Sequence, residues 1–392
     1  MNQVENKTII GFSILDAIYW GFYASSAGFL SSYMLECGLS SSLLSVILAI
    51  FMIFSFIGAF FWGGRCDKHK SNKKVFLPEF VVTVLVALLI YFMADKNVMI
   101  SAFLYPVFGF MAAPLGSSLD AWMLRSFNRD GNIYGRARGT GSAGYAIAAL
   151  LVGQLTNYLG YKVLPIGMIF TSICVLILAS MMKETAYEEK KKDDTSKKVD
   201  PKGLLKITPY IFLCVVMFLT GLAISPYNNL KIVVLKSVGG DVGMLGIDSF
   251  VGVMVQALFI FVSGKLYRLP RQFRLFLMSL CVAITLFLAA TATNPYVIVL
   301  GSVFANISYG IMLPTSREIT EAYVPQELKT TAYSLTDAMF GYAAGMIALL
   351  YGGTLMDLLG VRFVGFLGVG IMMIPLLMTI FGMIKEKKAG KA

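Results

Sequence analysis

Leu119 to Gly160 reads LDAWMLRSFNRDGNIYGRARGTGSAGYAIAALLVGQLTNYLG. Two apolar segments flank the polar turn Asn128 to Asn132, and each holds a charge well inside it: Asp120 on the way into the turn, Arg138 on the way out. Helices rise about 1.5 Å per residue, so two charges equally far in sequence from Arg129 sit at equal depth and can meet. Nine residues correspond to about 13 Å, close to halfway through a hydrocarbon layer about 30 Å thick. An unpaired charge at that depth costs several kcal/mol, so the two are retained either as a structural pair or to handle a ligand.

The rest of the composition assigns the class. Hydrophobic residues make up 57% of the 392, only 14% are charged, and mean hydropathy is +0.74. Apolar runs long enough to span a bilayer recur through the whole length, which defines an integral membrane protein rather than a soluble domain with one anchor. The runs read as spans at 8 to 35, 41 to 63, 75 to 95, 98 to 126, 134 to 159, 162 to 182, 208 to 235, 242 to 264, 273 to 292, 295 to 323, 330 to 357 and 361 to 384, twelve in all. MNQVENK precedes an apolar run too long for a signal-peptide core, so that run is expected to be the first helix rather than a cleaved segment.

Net charge is +11, and its placement reports topology. Of the 33 Lys and Arg, 27 lie at the termini or around even-numbered connections and five near odd-numbered ones, with Arg317 inside a span. By the positive-inside rule both termini face the cytoplasm, with the protein in the inner or cytoplasmic membrane. Nucleic-acid binding is excluded as the meaning of the basic balance. The five cysteines are dispersed and odd in number, so they make neither a disulfide framework nor a metal motif. No cofactor is called for. No paired catalytic carboxylates, nucleophile with base or phosphate loop appears, so an enzyme is not expected.

The stretch Lys183 to Lys206 is charge-dense and reads as a solvated linker between a 1–182 bundle and a 207–392 bundle. An internal repeat supports that division. With a shift of 200, Gly141/Gly341, Ile147/Ile347, Ala148/Ala348, Gly153/Gly353 and Gly160/Gly360 coincide, and with a shift of 201 Asp120 falls on Glu321. Six spans per half make the repeats parallel, an architecture in which transporters place the substrate near the midplane between the halves.

The chain resembles the major facilitator superfamily over essentially its full length. Gly63, Asp67, Lys68 and the basic run to Lys74 resemble its signature between helices two and three, with Ser71 and Asn72 departing from it. YGRARGTGSAGY at 134 to 145 is similar to the helix-five motif of the lactose permease and its relatives in the oligosaccharide/proton symporter branch. The resemblance implies that Arg138 pairs with Asp120 and binds sugar, and that Tyr145 stacks on it. It also implies a gating role for Gly63, Asp67 and Lys68. Departures are clear: Gln256 stands near the place of a sugar-binding Glu, Asn228 and Asn229 stand where helix seven carries acids, and the single His, His69, lies in a connection.

The expected fold is therefore an all-α polytopic membrane protein of twelve helices in two parallel six-helix repeats. The expected activity is secondary active, proton-coupled symport of a small polyhydroxylated solute such as a sugar, oligosaccharide or nucleoside, by alternating access. Candidate substrate residues are Asp120, Arg138, Tyr145, Gln256, Asn228, Asn229, Asn306 and Tyr23. Candidate proton-coupling residues are Asp16, which has no cation nearby in sequence, then Glu318, Asp337 and Arg317, the last two at equal depth across the turn Pro325 to Leu328. The expected partners are the substrate, protons and the lipid bilayer, with the protein a monomer. An organic-anion or aromatic-acid carrier or exporter, and a non-transporting membrane sensor or scaffold, are the alternatives.

Overall fold

The computed structural model describes residues 6–184, 201–266 and 268–388, and among them no strand occurs. The helices are α1 (Asn6–Tyr23), continuing through a wide π-turn at Ala24–Gly28 into α2 (Phe29–Glu36), then α3 (Ser41–His69), α4 (Lys73–Ala94), α5 (Val98–Ser126), α6 (Gly131–Leu159) and α7 (Val163–Met181). After the connection come α8 (Thr208–Asn229), α9 (Lys231–Lys236), α10 (Val242–Leu266), α11 (Arg271–Thr291) and α12 (Pro295–Tyr323). The chain ends with α13 (Lys329–Ala338), a second π-turn at Met339–Ala343, α14 (Ala344–Leu359) and α15 (Val361–Lys388).

Local chemistry sets the ends. Ser40 Oγ accepts from Leu43 N at 3.2 Å at the start of α3, Asn97 Oδ1 from Met99 N at 3.0 Å at the start of α5, and Asn294 caps α12 ahead of Pro295. Gly160 and Gly360 close α6 and α14 at φ of +78° and +85°, a backbone that glycine adopts without strain. Helix α3 runs past the expected end of its span to His69 and stops at Lys70, whose φ is +49°. Gly63, Asp67 and Lys68 therefore lie in its last turns rather than in a connection, which corrects the expected boundary at residue 63.

Ten helices among the described residues are long and apolar enough to cross a membrane. The long helical stretches 6–36 and Gly131–Leu159 fall short of that standard, and they are the two that carry Asp16 and Arg138. Large apolar side chains such as Phe60, Phe103, Phe170 and Phe381 stand outward, as lipid-facing residues do. 

By packing, the chain divides into one unit of residues Met1–Glu189 with Asp241–Val253, and a second of Lys190–Gly240 with Met254–Ala392. Of the expected linker, residues 185–200 lie outside the described residues. Its last part, Pro201–Lys206, forms a 3-10 turn whose Leu204 is buried against Tyr210, Val324, Leu328 and Ala332.

Within the first unit α1 packs along α6 and α7, and α5 along α3 and α4. Its interior is aromatic: Phe12 meets Trp122 edge-on at 5.2 Å, and Phe76 stacks with Phe80 at 5.8 Å. In the second unit α11 packs on α12 and α15, and α8 on α14 and α15, around Leu213, Met217, Leu275, Met278 and Ile311.

The closest approach of α1 to α6 is made by backbone. A Cβ at Gly144 would stand 2.5 Å from the Ala17 carbonyl oxygen, and one at Gly141 would stand 2.0 Å from Asp16 Oδ2. Small residues thus let the helix bearing Arg138 lie directly on the helix bearing Asp16. Gly144→Ala is expected to destabilise the purified protein by about 1–3 kcal/mol, because the neighbour is main chain and cannot rotate away. Gly135→Ala, in open space, should leave the melting temperature unchanged or raise it. Thermal melting in detergent measures both.

Candidate functional site

Three helices of the first unit converge on Arg138. Its Nε lies 3.3 Å from Asp120 Oδ1 on α5, its Nη1 lies 3.7 Å from Asp16 Oδ2 on α1, and its guanidinium carbon sits 4.6 Å from the centre of the Trp20 ring. Asp16 is wholly buried, whereas the Arg138 and Asp120 side chains keep 29% and 30% of their surface open. The expectation that Asp16 has no cation nearby is thereby corrected: α1 and α6 are adjacent, and their glycine contact brings Asp16 to Arg138.

The distance of 3.7 Å is an ion-pair contact but too long for a hydrogen bond. Both oxygens of Asp16, Asp120 Oδ1 and Arg138 Nη1 have no hydrogen-bond partner among the described residues. A partly accessible guanidinium flanked by two carboxylates offers donors and acceptors side by side, a chemistry suited to a polar ligand. Tyr134, one turn before Arg138, lies beside Asp120.

Aromatic surface adjoins the clamp. Trp20 packs against Tyr23 at 5.2 Å and edge-on to Tyr145 at 6.4 Å. Seven residues separate Arg138 from Tyr145, about two helical turns, which brings both to one face of α6. Tyr23 immediately precedes the π-turn Ala24–Gly28, a distortion of the kind found at functional positions in helices.

In the second unit Arg317 Nη2 lies 2.6 Å from Asp337 Oδ2, with the Arg317 guanidinium 4.8 Å from the Tyr333 ring. Glu321 bonds to Lys329 and Tyr333. Glu318 is bracketed by Arg271, at 2.8 Å, and by Arg274, which is 1% exposed. Two guanidiniums on one carboxylate make a structural triad, an arrangement that α11 supplies and that the sequence order of α12 alone does not disclose.

The remaining substrate candidates are dispersed within that unit, and the gating candidates lie in the first. Asn229 Nδ2 donates to Ser225 O at 2.9 Å and Asn306 Nδ2 to Ser302 O at 2.8 Å, so each gives a hydrogen to its own helix. Asn228 is exposed on α8, and Gln256 is half-buried on α10. Gly63 faces open space, so it makes no close approach to another helix within its unit. Asp67 and Lys68 are exposed near the end of α3.

Sequence reasoning passed over Trp20 as a ligand of Arg138, the Arg271 and Arg274 partners of Glu318, and a buried acid on α4, Glu79. An acid inside an apolar run was the available signal for Glu79, obscured by its closeness to the basic residues Lys73 and Lys74.

Residues 12–366 match the model of the MFS_1 like family. A maltose permease of Geobacillus stearothermophilus is 24% identical over 344 residues, covering 86% of this chain and 85% of that protein. The transporter YwbF of Bacillus subtilis strain 168, described as uncharacterized, is 23% identical over 343 residues, covering 84% of this chain and 82% of that protein. Among solved structures, the nucleoside transporter NupG superposes with a TM-score of 0.81 at 15% identity, over 96% of this chain and 98% of that one. A bacterial homologue of the iron transporter ferroportin gives 0.71 at 12% identity, over 95% and 98%.

Breaking a buried ion pair costs about 3–5 kcal/mol, whereas an exposed pair contributes about 0–1 kcal/mol. Glu318→Gln removes the carboxylate that faces the buried Arg274 guanidinium, and is accordingly expected to lower the melting temperature more than loss of an exposed pair does. Asp337→Asn, at a pair whose side chains are 34% and 49% exposed, should shift it little. Equal losses from the two would count against the triad as a stability element.

Proposed function

The chain belongs to the MFS_1 like family, and we propose that this membrane transporter is a proton-coupled symporter of a small, uncharged polyhydroxylated solute, a sugar or nucleoside. It works by alternating access between two six-helix repeats of twelve spans, in the cytoplasmic membrane with both termini inside. The observation that carries the reading is Arg138, held by Asp120 and Asp16 beside Trp20 with its polar atoms incompletely satisfied.

A guanidinium presents a planar fork of donors, and the flanking carboxylates accept from hydroxyls, so together they match vicinal hydroxyl groups. Trp20, Tyr23 and Tyr145 supply ring surface for the apolar face of a sugar or base. Two carboxylates against one guanidinium leave no excess positive charge, which favours a neutral solute over the organic-anion alternative. In the second unit Arg317 is likewise matched by Asp337. The maltose permease and nucleoside transporter among the similar proteins point to the same chemical class. Gly63, Asp67 and Lys68 serve the gate in this reading, and Gln256, Asn228, Asn229 and Asn306 are the polar candidates within the second unit.

Counterflow into proteoliposomes with maltose, uridine and an aromatic acid as probes identifies the class. Arg138→Lys keeps the charge and loses the fork, so binding should weaken about 10- to 100-fold, the equivalent of about 1.5–3 kcal/mol, with the melting temperature retained. Asp120→Asn and Tyr145→Ala should weaken it in the same direction. Near-normal binding in all three would remove the substrate from this stretch.

A further inference from the structure

Asp16, Glu318 and Asp337, the acids expected from sequence to carry a coupling proton, all lie against arginines: Arg138, the Arg271 and Arg274 pair, and Arg317. Glu79 on α4 does not. It is completely buried, and neither carboxyl oxygen has a hydrogen-bond partner or an ion-pair partner among the described residues.

Aromatic residues flank it on its own helix. Phe76 and Phe80 stack on the same helix, and the Tyr19 ring lies 6.2 and 6.4 Å from theirs. The titratable groups within electrostatic reach are Tyr19 from α1 and Cys66 from α3, neither of them a cation. The basic residues nearby are otherwise engaged or turned outward. Lys73 Nζ donates to Ser180 O and Met182 O, both at 2.6 Å, at the end of α7. Lys74 is exposed, and Arg125 of α5 bonds to the Asn72 side chain.

An ionised carboxylate without a cation in such a place costs several kcal/mol, whereas the neutral acid costs far less, so the neutral acid is the form that this packing accepts. The residue just before it, Pro78, has no N–H to bond the Lys74 carbonyl, which makes α4 easiest to open next to the carboxyl. Glu79 is not among the charged groups acting on Asp16, which are Arg138 and Asp120, and the Tyr19 ring lies within reach of both acids.

We propose that Glu79 is the proton-binding site through which the proton gradient drives this carrier. In the packing described, the carboxyl oxygen holds the proton. When α4 opens at Pro78 and water enters, the proton passes to water and leaves a carboxylate, and closure requires a proton to be taken up again. The proposal rests on the proton-coupled reading above.

Two measurements test it. The first needs no substrate: the Cys66 thiol, 5% exposed and beside Glu79, is alkylated with N-ethylmaleimide at neutral and alkaline pH and quantified by peptide mass spectrometry. Ionising Glu79 should open the pocket, so Cys66 labelling in the wild type should rise with pH beyond the rise in Glu79→Gln, which shares the thiol chemistry but cannot ionise. Identical pH profiles would overturn the proposal.

In the second, proteoliposomes are given maltose or uridine with a proton gradient of one unit, which supports about tenfold accumulation for one proton per solute. Glu79→Gln should lose the accumulation and keep gradient-free exchange of the same solute. Accumulation equal to wild type would overturn the site while leaving the proton-coupled reading intact. Exchange without gradient-driven accumulation in the wild type would overturn both. Should Glu79→Gln fail to fold, the infrared carbonyl band of an unbonded protonated acid in Asp16→Asn, where the other buried acid without hydrogen bonds is removed, decides: its presence at neutral pH supports the site, and its absence overturns it.

Discussion

A guanidinium shared between two carboxylates from different helices is the contact around which the first unit is assembled. Arg138 draws α1, α5 and α6 to one point, and a hydrocarbon surrounding makes separation of those charges far more costly than in water. The geometry in turn requires α1 and α6 to touch through glycine, because any side chain at Gly141 would occupy the space of the Asp16 carboxyl. It also accounts for the low apolarity of the two helical stretches that fall short of a standard membrane span. Their polar residues face one another, and the cost of their polarity is offset inside the protein.

Pairs joined by a short turn were legible in the sequence as geometry. The constant rise of a helix places Asp120 at the depth of Arg138 and Arg317 at that of Asp337, and in the structure the members of each pair lie 3.3 and 2.6 Å apart. Helix adjacency between distant segments was not legible. Nothing in the order of residues says that α1 lies on α6, so the Asp16 contact emerges only in three dimensions, whereas Arg271 and Arg274 face Glu318 across the short connection between α11 and α12 and could have been found by the same construction. Gly63 marks the opposite case: a glycine at a suggestive spacing faces open space, because small size permits close approach without requiring it.

The two units solve the problem of buried charge differently. In the first, one guanidinium serves two acids with polar atoms left open, a poor arrangement for stability and a good one for receiving a ligand. In the second, two guanidiniums, one of them buried, hold one partly exposed acid, and the more accessible Arg317 pair stands beside Tyr333. Acids thus fall into kinds according to whether a cation accompanies them, a distinction that depends on neighbours and not on residue type.

The π-turn at Ala24–Gly28 carries one residue more than an α-helical turn would, and so displaces everything after it by about 100° around the helix axis. Beyond that displacement Tyr33 stacks on Tyr91 at 4.6 Å, and the Ser32 hydroxyl meets the Tyr161 hydroxyl at 2.8 Å. The helix that begins at Asn6 and ends at Glu36 therefore contains a single residue of slack between its clamp end and its tyrosine end. Taking up that slack would swing Ser32 and Tyr33 off their partners while leaving Asp16 and Trp20 in place, which turns one continuous rod into two independently aimed halves.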